Sequence, residues 1–226
     1  MAEQATAAAG VGSGPSASAV PKKPKKKTKA AADPSNVNPT LLQLHWLERS
    51  KAGTPDKILC FYGHSPKWPY GELSNFWPAP FDFLLPPILD SRQTAHPVHC
   101  AEQAIMLYKA ALFRDAATFT AILKAKTPAK CKGLGRRVTP FDDRVWLPKV
   151  CDIAVSVLWQ KFSQNPDLKA LLLDTKKQVL AEAVPYDALW GIGLSARDPR
   201  AQHMEQWQGA NVLGYALMEV RRRLAC

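Results

Sequence analysis

The sequence predicts an α+β fold, a predominantly helical single domain with a small β-sheet, and three observations lead there. After residue 100 apolar residues recur at helical spacing almost to the end of the chain. Strand-like runs are short and few: KILCFY (Lys57–Tyr62), the run from Phe81 to Leu85, and VLAEAV at 179–184. The apolar fraction of 46% suffices for one core in a chain of 226 residues, and no internal repeat suggests a second.

Residues 1–38 are Ala, Gly, Ser, Pro and Lys with almost nothing to bury, so they are expected to be a disordered tail, with the domain occupying 39–226. PTLLQLHWLERS, from Pro39 to Ser50, spaces Leu41, Leu44, Trp46 and Leu47 as a short docking helix would. The two early strand-like runs suggest a small sheet or hairpin at the start of the domain. Between them, GHSPKWPYGELSNFWPAP is too rich in Pro and Gly for regular structure. His96–Ala110 leads into the organising helix, expected over 101–113. Asp115–Lys124 follows as a second helix, and Thr127-Pro128 opens a third to about Lys132. GLGRRV (Gly133–Val138) is read as a break. From Phe141 one long helix is expected to Asn165, with Val150, Ile153, Val157, Leu158 and Phe162 as its inner stripe. Asn165-Pro166 ends it and Asp167 caps the next, through Leu173. After VLAEAV comes an irregular loop, and the last helix spans Val212–Leu224 with Leu213, Leu217 and Val220 inward.

The net charge is +11; six lysines against Glu3 and Asp33 put +4 of it in residues 1–38, leaving +7 for the body. A basic body suits a phosphate-bearing ligand, although unspecialised basic domains are common. The cluster PKKPKKKTK (Pro21–Lys29) has the density of a nuclear-import signal and equally of a solvated basic tail. Five cysteines form no CxxC pair, and their odd number without a secretory signal points to free thiols in a reducing compartment, cytoplasmic or nuclear. No apolar run reaches the ~20 residues of a membrane span, so a soluble protein without a membrane partner is expected. His96 and His99 stand HxxH with no supporting ligands, so no metal site is expected.

Four segments concentrate polar residues among aromatics. In the organising helix, Glu102 and Lys109 are seven residues apart, about two turns, and so share one face of an apolar run. In GELSNFW, Ser74 and Asn75 beside Phe76 suit either a ligand edge or a tight turn anchored by an Asx bond. In GLGRRV, Arg136 or Arg137 suits a phosphate clamp assisted by glycine amides. In DALWGIG, Trp190 and Gly191 follow the carboxylate Asp187, as in a pocket wall that stacks a ring while the acid holds a proton or hydroxyl.

These segments occur in an order that resembles the YbiA/NADAR family of N-glycosidases across roughly residues 58–224. The matching blocks are GELSNF, AEQ…K, KGLGRRV, the RVW of 144–146, KFSQNPDLKALLLDT, DALWGIG and GANVLGYALMEVR. The resemblance implies cleavage of an N-glycosidic bond between a ribose carbon and a base nitrogen. It implies two substrate classes: phosphoribosylamino-pyrimidine intermediates of riboflavin biosynthesis, and ADP-ribose on guanine, so ADP-ribosylated nucleic acid becomes a candidate partner. It implies no cofactor. Under it, Glu102 stabilises oxocarbenium character and moves a proton, while Lys109 forms an imine with the opened sugar or serves as a counter-ion. Asp187 orients a hydroxyl or water, Trp190 stacks, Ser74, Asn75 and Phe76 touch the ligand, Arg136 holds phosphate, and Asn211 supports the loop or site. Bacterial relatives often carry Asp where this chain has Ile192, so that position supplies no acid here. The competing class is a non-catalytic nucleotide or nucleic-acid binder, which has no need of an acid and an amine on one buried helix face.

Overall fold

The structure, a computed structural model, describes residues 57–226. The tail 1–38, its lysine cluster, the domain start at 39 and the helix expected over 39–50 lie outside the described residues.

The two early strand-like runs do not pair with each other. β1 (Ile58–Phe61) pairs in parallel with β4 (Val179–Glu182), Ile58 opposite Val179 and Phe61 opposite Glu182. β2 (Phe81–Phe83) pairs antiparallel with β3 (His96–Val98). Period-2 patterning locates strands but says nothing about a partner from the other end of the domain. His96–Val98, at the head of the organising run, is therefore strand and not helix, with Pro97 opposite Asp82. The outer edge of β2 is covered by amides: Gln164 accepts from the Asp82 N–H and donates to its carbonyl, both at 2.9 Å, and Gln160 does the same at Leu84. Those two glutamines satisfy backbone groups that a bare edge would leave open.

α1 (Ala101–Leu112) is the centre of the core, with Ala101 to Leu107 and Ala110 buried. α2 (Ala116–Leu123) starts on Asp115, whose carboxylate accepts the Thr118 N–H. α3 (Pro128–Gly135) starts on Thr127 with Pro128 in its first turn, as read from the sequence. α3 continues through Gly133 and Gly135, however, where a break was expected. Position 135 has no room for a side chain because α1 passes close by: a Cβ there would lie 1.9 Å from the Met106 sulfur. The helix expected from Phe141 divides into α4 (Asp143–Trp146), a 3₁₀ turn (Leu147–Lys149) and α5 (Val150–Gln164). Pro148 brings no N–H and its ring crowds the carbonyl four residues back, so the chain tightens there.

The apolar stripe of α5 is buried as expected. α6 (Pro166–Asp174) has Asn165 at its N-cap, and Asp167 lies in the first turn instead of capping. α7 (Val212–Leu224) has the expected bounds and packs on α5 and β4, with Leu213, Leu217 and Val220 inaccessible to solvent. No helix among the described residues is long and apolar enough to cross a membrane.

Candidate active site

β1 and β4 run parallel, so the loops leaving their carboxyl ends start side by side, the usual place for a ligand on parallel strands. The loop after β1 carries Ser74, Asn75 and Phe76; β4 ends in Glu182, and the loop after it carries Asp187 and Trp190.

Ser74 and Asn75 are buried. The Ser74 hydroxyl accepts the Phe76 N–H at 3.1 Å, so the turn is held by the serine and not by the Asx bond expected. The Asn75 carbonyl accepts the Glu102 N–H at 2.9 Å. That bond serves the start of α1 where Cys100 offers no side-chain cap. Asn75 Oδ1 is buried with no donor in reach, an arrangement that costs about 1–3 kcal/mol unless a ligand donor meets it.

Beneath this loop lies a residue the sequence reading left in an unexplained block. Lys161, on α5, is inaccessible to solvent, and its Nζ donates to the carbonyls of Glu72 and Ser74, each at 3.0 Å. Burial pushes its ammonium down to about 7.

Glu102 is buried, and burial pushes its carboxyl up to about 7; Lys132 and Arg136 act against that rise, and Asp187 adds to it. Its place in the first turn of α1 favours the ionised form, but loss of water outweighs the helix dipole. The sequence reading missed its counterpart. Glu182 is pushed up to about 8, first by burial and then by the negative charges of Asp187 and Glu102, with Lys132 opposing. Its Oε2 is sealed with no hydrogen-bond partner. One acid at the end of an otherwise apolar VLAEAV run was the available signal. Lys132 was missed as well: its Nζ stands 5.6 Å from the Phe76 ring centroid, and its charge reaches both glutamates.

Asp187 Oδ1 accepts the N–H groups of Trp190 (2.8 Å) and Leu189 (3.2 Å), so one oxygen shapes the loop and the other remains for a ligand. Trp190 is half-buried against the core. Gly191 lies against the end of β4: a Cβ would stand 2.6 Å from the Glu182 carbonyl, which also accepts the Ile192 N–H. Its role is close approach. Asn211 is held on both sides of its amide. It is inaccessible to solvent, donates to the Leu180 carbonyl at 2.9 Å and accepts the Glu182 N–H at 3.1 Å. It clamps the end of β4 that carries Glu182.

Arg136 is exposed at the end of α3, with its charge in reach of Glu102. The amides of that turn are not available to an anion, because Arg136 N–H and Arg137 N–H bond to the Lys132 and Leu134 carbonyls. Lys109 makes no ion pair among the described residues, with Glu102 or otherwise. Two helical turns, roughly 10 Å of rise, separate the two residues along their shared face. Its Nζ sits 3.9 Å from the Phe141 centroid and 5.4 Å from that of Trp146, and burial lowers its basicity. The counter-ion reading with Glu102 thus fails in this geometry, while the desolvation that a nucleophilic amine needs is present.

No group of three or more potential metal ligands occurs among the described residues. Cys100, Cys131 and Cys151 are buried free thiols, pushed by burial up to about 12, 11 and 11, which keeps them protonated and inert.

The NADAR domain family description matches residues 60–225. The chain is 36% identical over 166 residues to N-glycosidase R617 of Acanthamoeba polyphaga mimivirus, covering 74% of this chain and 95% of that protein. It is 35% identical over 159 residues to Protein irg-1 of Caenorhabditis elegans, covering 67% and 74%. Against N-glycosidase YbiA of Escherichia coli K12 it is 29% identical over 172 residues, covering 75% and 90%. The NMR structure of E. coli YbiA superposes with a TM-score of 0.57 at 30% identity, over 75% of this chain and 86% of that one.

Proposed function

The chain belongs to the NADAR family and is an N-glycosidase, and on that premise we propose that the bond it hydrolyses joins C1 of a phosphorylated ribose to the nitrogen of a planar base. The observation that carries the reading is the pair Glu102 and Glu182, two desolvated carboxyls held near neutrality beside Asp187 and Lys132. Two acids whose environments hold them at different values near pH 7 can divide the work of base and acid. Glu182, the higher, gives its proton to the leaving base nitrogen as the C–N electron pair goes with it. Glu102, ionised, stabilises the oxocarbenium ion left at C1. A water oriented by the free oxygen of Asp187 then adds to C1 and gives its proton to the Glu102 carboxylate. Trp190 and Phe76 form the stacking walls, the unpartnered Asn75 Oδ1 accepts from the base or sugar, and Arg136 and Lys132 hold phosphate. Free thiols and the lysine cluster fit work in the cytoplasm or nucleus.

A substrate panel tests this. Purified protein in EDTA should release free base from a phosphoribosylamino-pyrimidine or from ADP-ribosyl-guanine. Salt-dependent binding to nucleic acid without turnover of either would favour the binding module instead.

Lys109 offers a second way to capture C1. The neutral form of its amine, favoured by burial, bonds to C1 as the base leaves, one amine proton passes to the ring oxygen as the ring opens to a protonated imine, and water later hydrolyses that imine. Borohydride added during turnover should then leave a reduced adduct on Lys109, detected by mass spectrometry of peptides. An unmodified Lys109 under conditions of full turnover removes the imine route and leaves water as the nucleophile.

A further inference from the structure

A lysine with no solvent access and no carboxylate partner among the described residues needs a reason to sit where it does, because burying an unpaired ammonium is costly. Among the described residues the Lys161 ammonium donates to two carbonyls, those of Glu72 and Ser74, more than eighty residues away in the chain. Between and beside these carbonyls the backbone is held at three further points. Ser74 N–H bonds to the Gly71 carbonyl, Trp77 N–H bonds to the Ser74 carbonyl, and the Asn75 carbonyl takes the Glu102 N–H. The Ser74–Phe76 loop is thus pinned from below by α5 through Lys161 and from the side by α1 through Glu102. Its Asn75 Oδ1 and Phe76 ring are the groups assigned to the substrate.

We propose that Lys161 is a positioning residue of the active site: its ammonium fixes the height of the Ser74–Phe76 loop over Glu102 and so sets where the base and ribose sit. Lys161 touches no substrate atom and moves no proton. Removing its donors leaves the Glu72 carbonyl unpaired and the Ser74 carbonyl with the Trp77 N–H alone, and the loop relieves that by shifting toward water. Displacement of an orienting loop by about 1 Å is enough to cost on the order of 100-fold in rate. This inference rests on the glycosidase reading of the same site.

The test uses the full chain with Lys161→Met, which keeps the stem and removes the donors, and Lys161→Gln, which keeps one amide donor. On the substrate the wild type turns over, Lys161→Met should lower kcat/KM about 100-fold, with KM raised. Its pH limbs should stay in place, because both carboxyls remain. Lys161→Gln should recover part of the loss. A lowered melting temperature with kcat/KM unchanged in the folded protein would overturn the proposal, as would a Gln variant no better than Met. Hydrogen exchange reads the anchoring without turnover or substitution. In the wild type, the Ser74 and Trp77 amides should exchange as slowly as the core of α5. Fast exchange there defeats the proposal even if neither variant folds. A wild type inactive on every substrate defeats the functional reading, and exchange still decides whether Lys161 pins the loop.

Discussion

Glu102→Gln is expected to lower kcat about 1000-fold while KM changes little, since a positioned acid–base group contributes 10²–10⁴-fold. The amide keeps the shape of the carboxyl and its backbone bond to Asn75, but it carries no charge to stabilise an oxocarbenium ion and accepts no proton. The pH profile separates this from a loss of fold. In the wild type, activity should rise with pH as Glu102 ionises through about 7 and fall as Glu182 loses its proton through about 8. The result is a narrow bell whose limbs belong to the pair jointly. In Glu102→Gln the acid limb should disappear. The alkaline limb should also move to lower pH, because Glu102 is one of the negative charges that hold Glu182 up. Glu182→Gln should cost at least 100-fold and abolish the alkaline limb. A Glu102→Gln enzyme with full kcat, or with an unmoved alkaline limb, would separate the two carboxyls and end the division of labour proposed for them.

The parts of this site legible in the sequence were those governed by local rules. Glu102 stands in a run of helix formers whose burial any amphipathic count detects, and α7 has both bounds set by patterning alone. What escaped depends on pairing across the chain. Glu182 reads as an ordinary acid at the end of a strand until β1 pairs alongside and Gly191 and Asn211 pack over it. Lys161 is one charged residue on an amphipathic helix, where a solvated face is the default expectation. Only the fold of the Ser74 loop onto α5 shows that it points inward. The glycines of GLGRRV misled because propensity is a local quantity: the cost of Gly135 in a helix is offset by an α1–α3 approach that no larger residue permits. The same asymmetry applies to Asn211, read from the sequence as support for the loop or site, whose partner Leu180 lies far back in the chain on β4.

Gly214→Ala should be the most destabilising small substitution in the domain, and it tests whether β4, Asn211 and α7 act as one support for Glu182. A Cβ on Gly214 would stand 2.1 Å from the Leu180 carbonyl oxygen and 2.4 Å from Asn211 Nδ2. The first is backbone of β4 and cannot rotate away. Relief requires α7 to lift from β4, breaking the Asn211 bonds to Leu180 and Glu182. Overpacking of this kind costs roughly 1–3 kcal/mol and each lost bond about 1, against about 1 gained from alanine's better helix propensity. The expected net is about 3 kcal/mol, or roughly 6–12 °C in melting temperature for a domain of this size. The folded fraction should also lose activity, because the freed end of β4 carries the proton donor. Gly133→Ala is the matched control. It too is a glycine within a helix, but it is exposed and a Cβ there meets nothing within 4 Å. Only the propensity term remains, so stability should rise by up to about 1 kcal/mol with turnover unchanged. Equal effects at the two positions would mean that helix propensity, and not contact with β4, governs both.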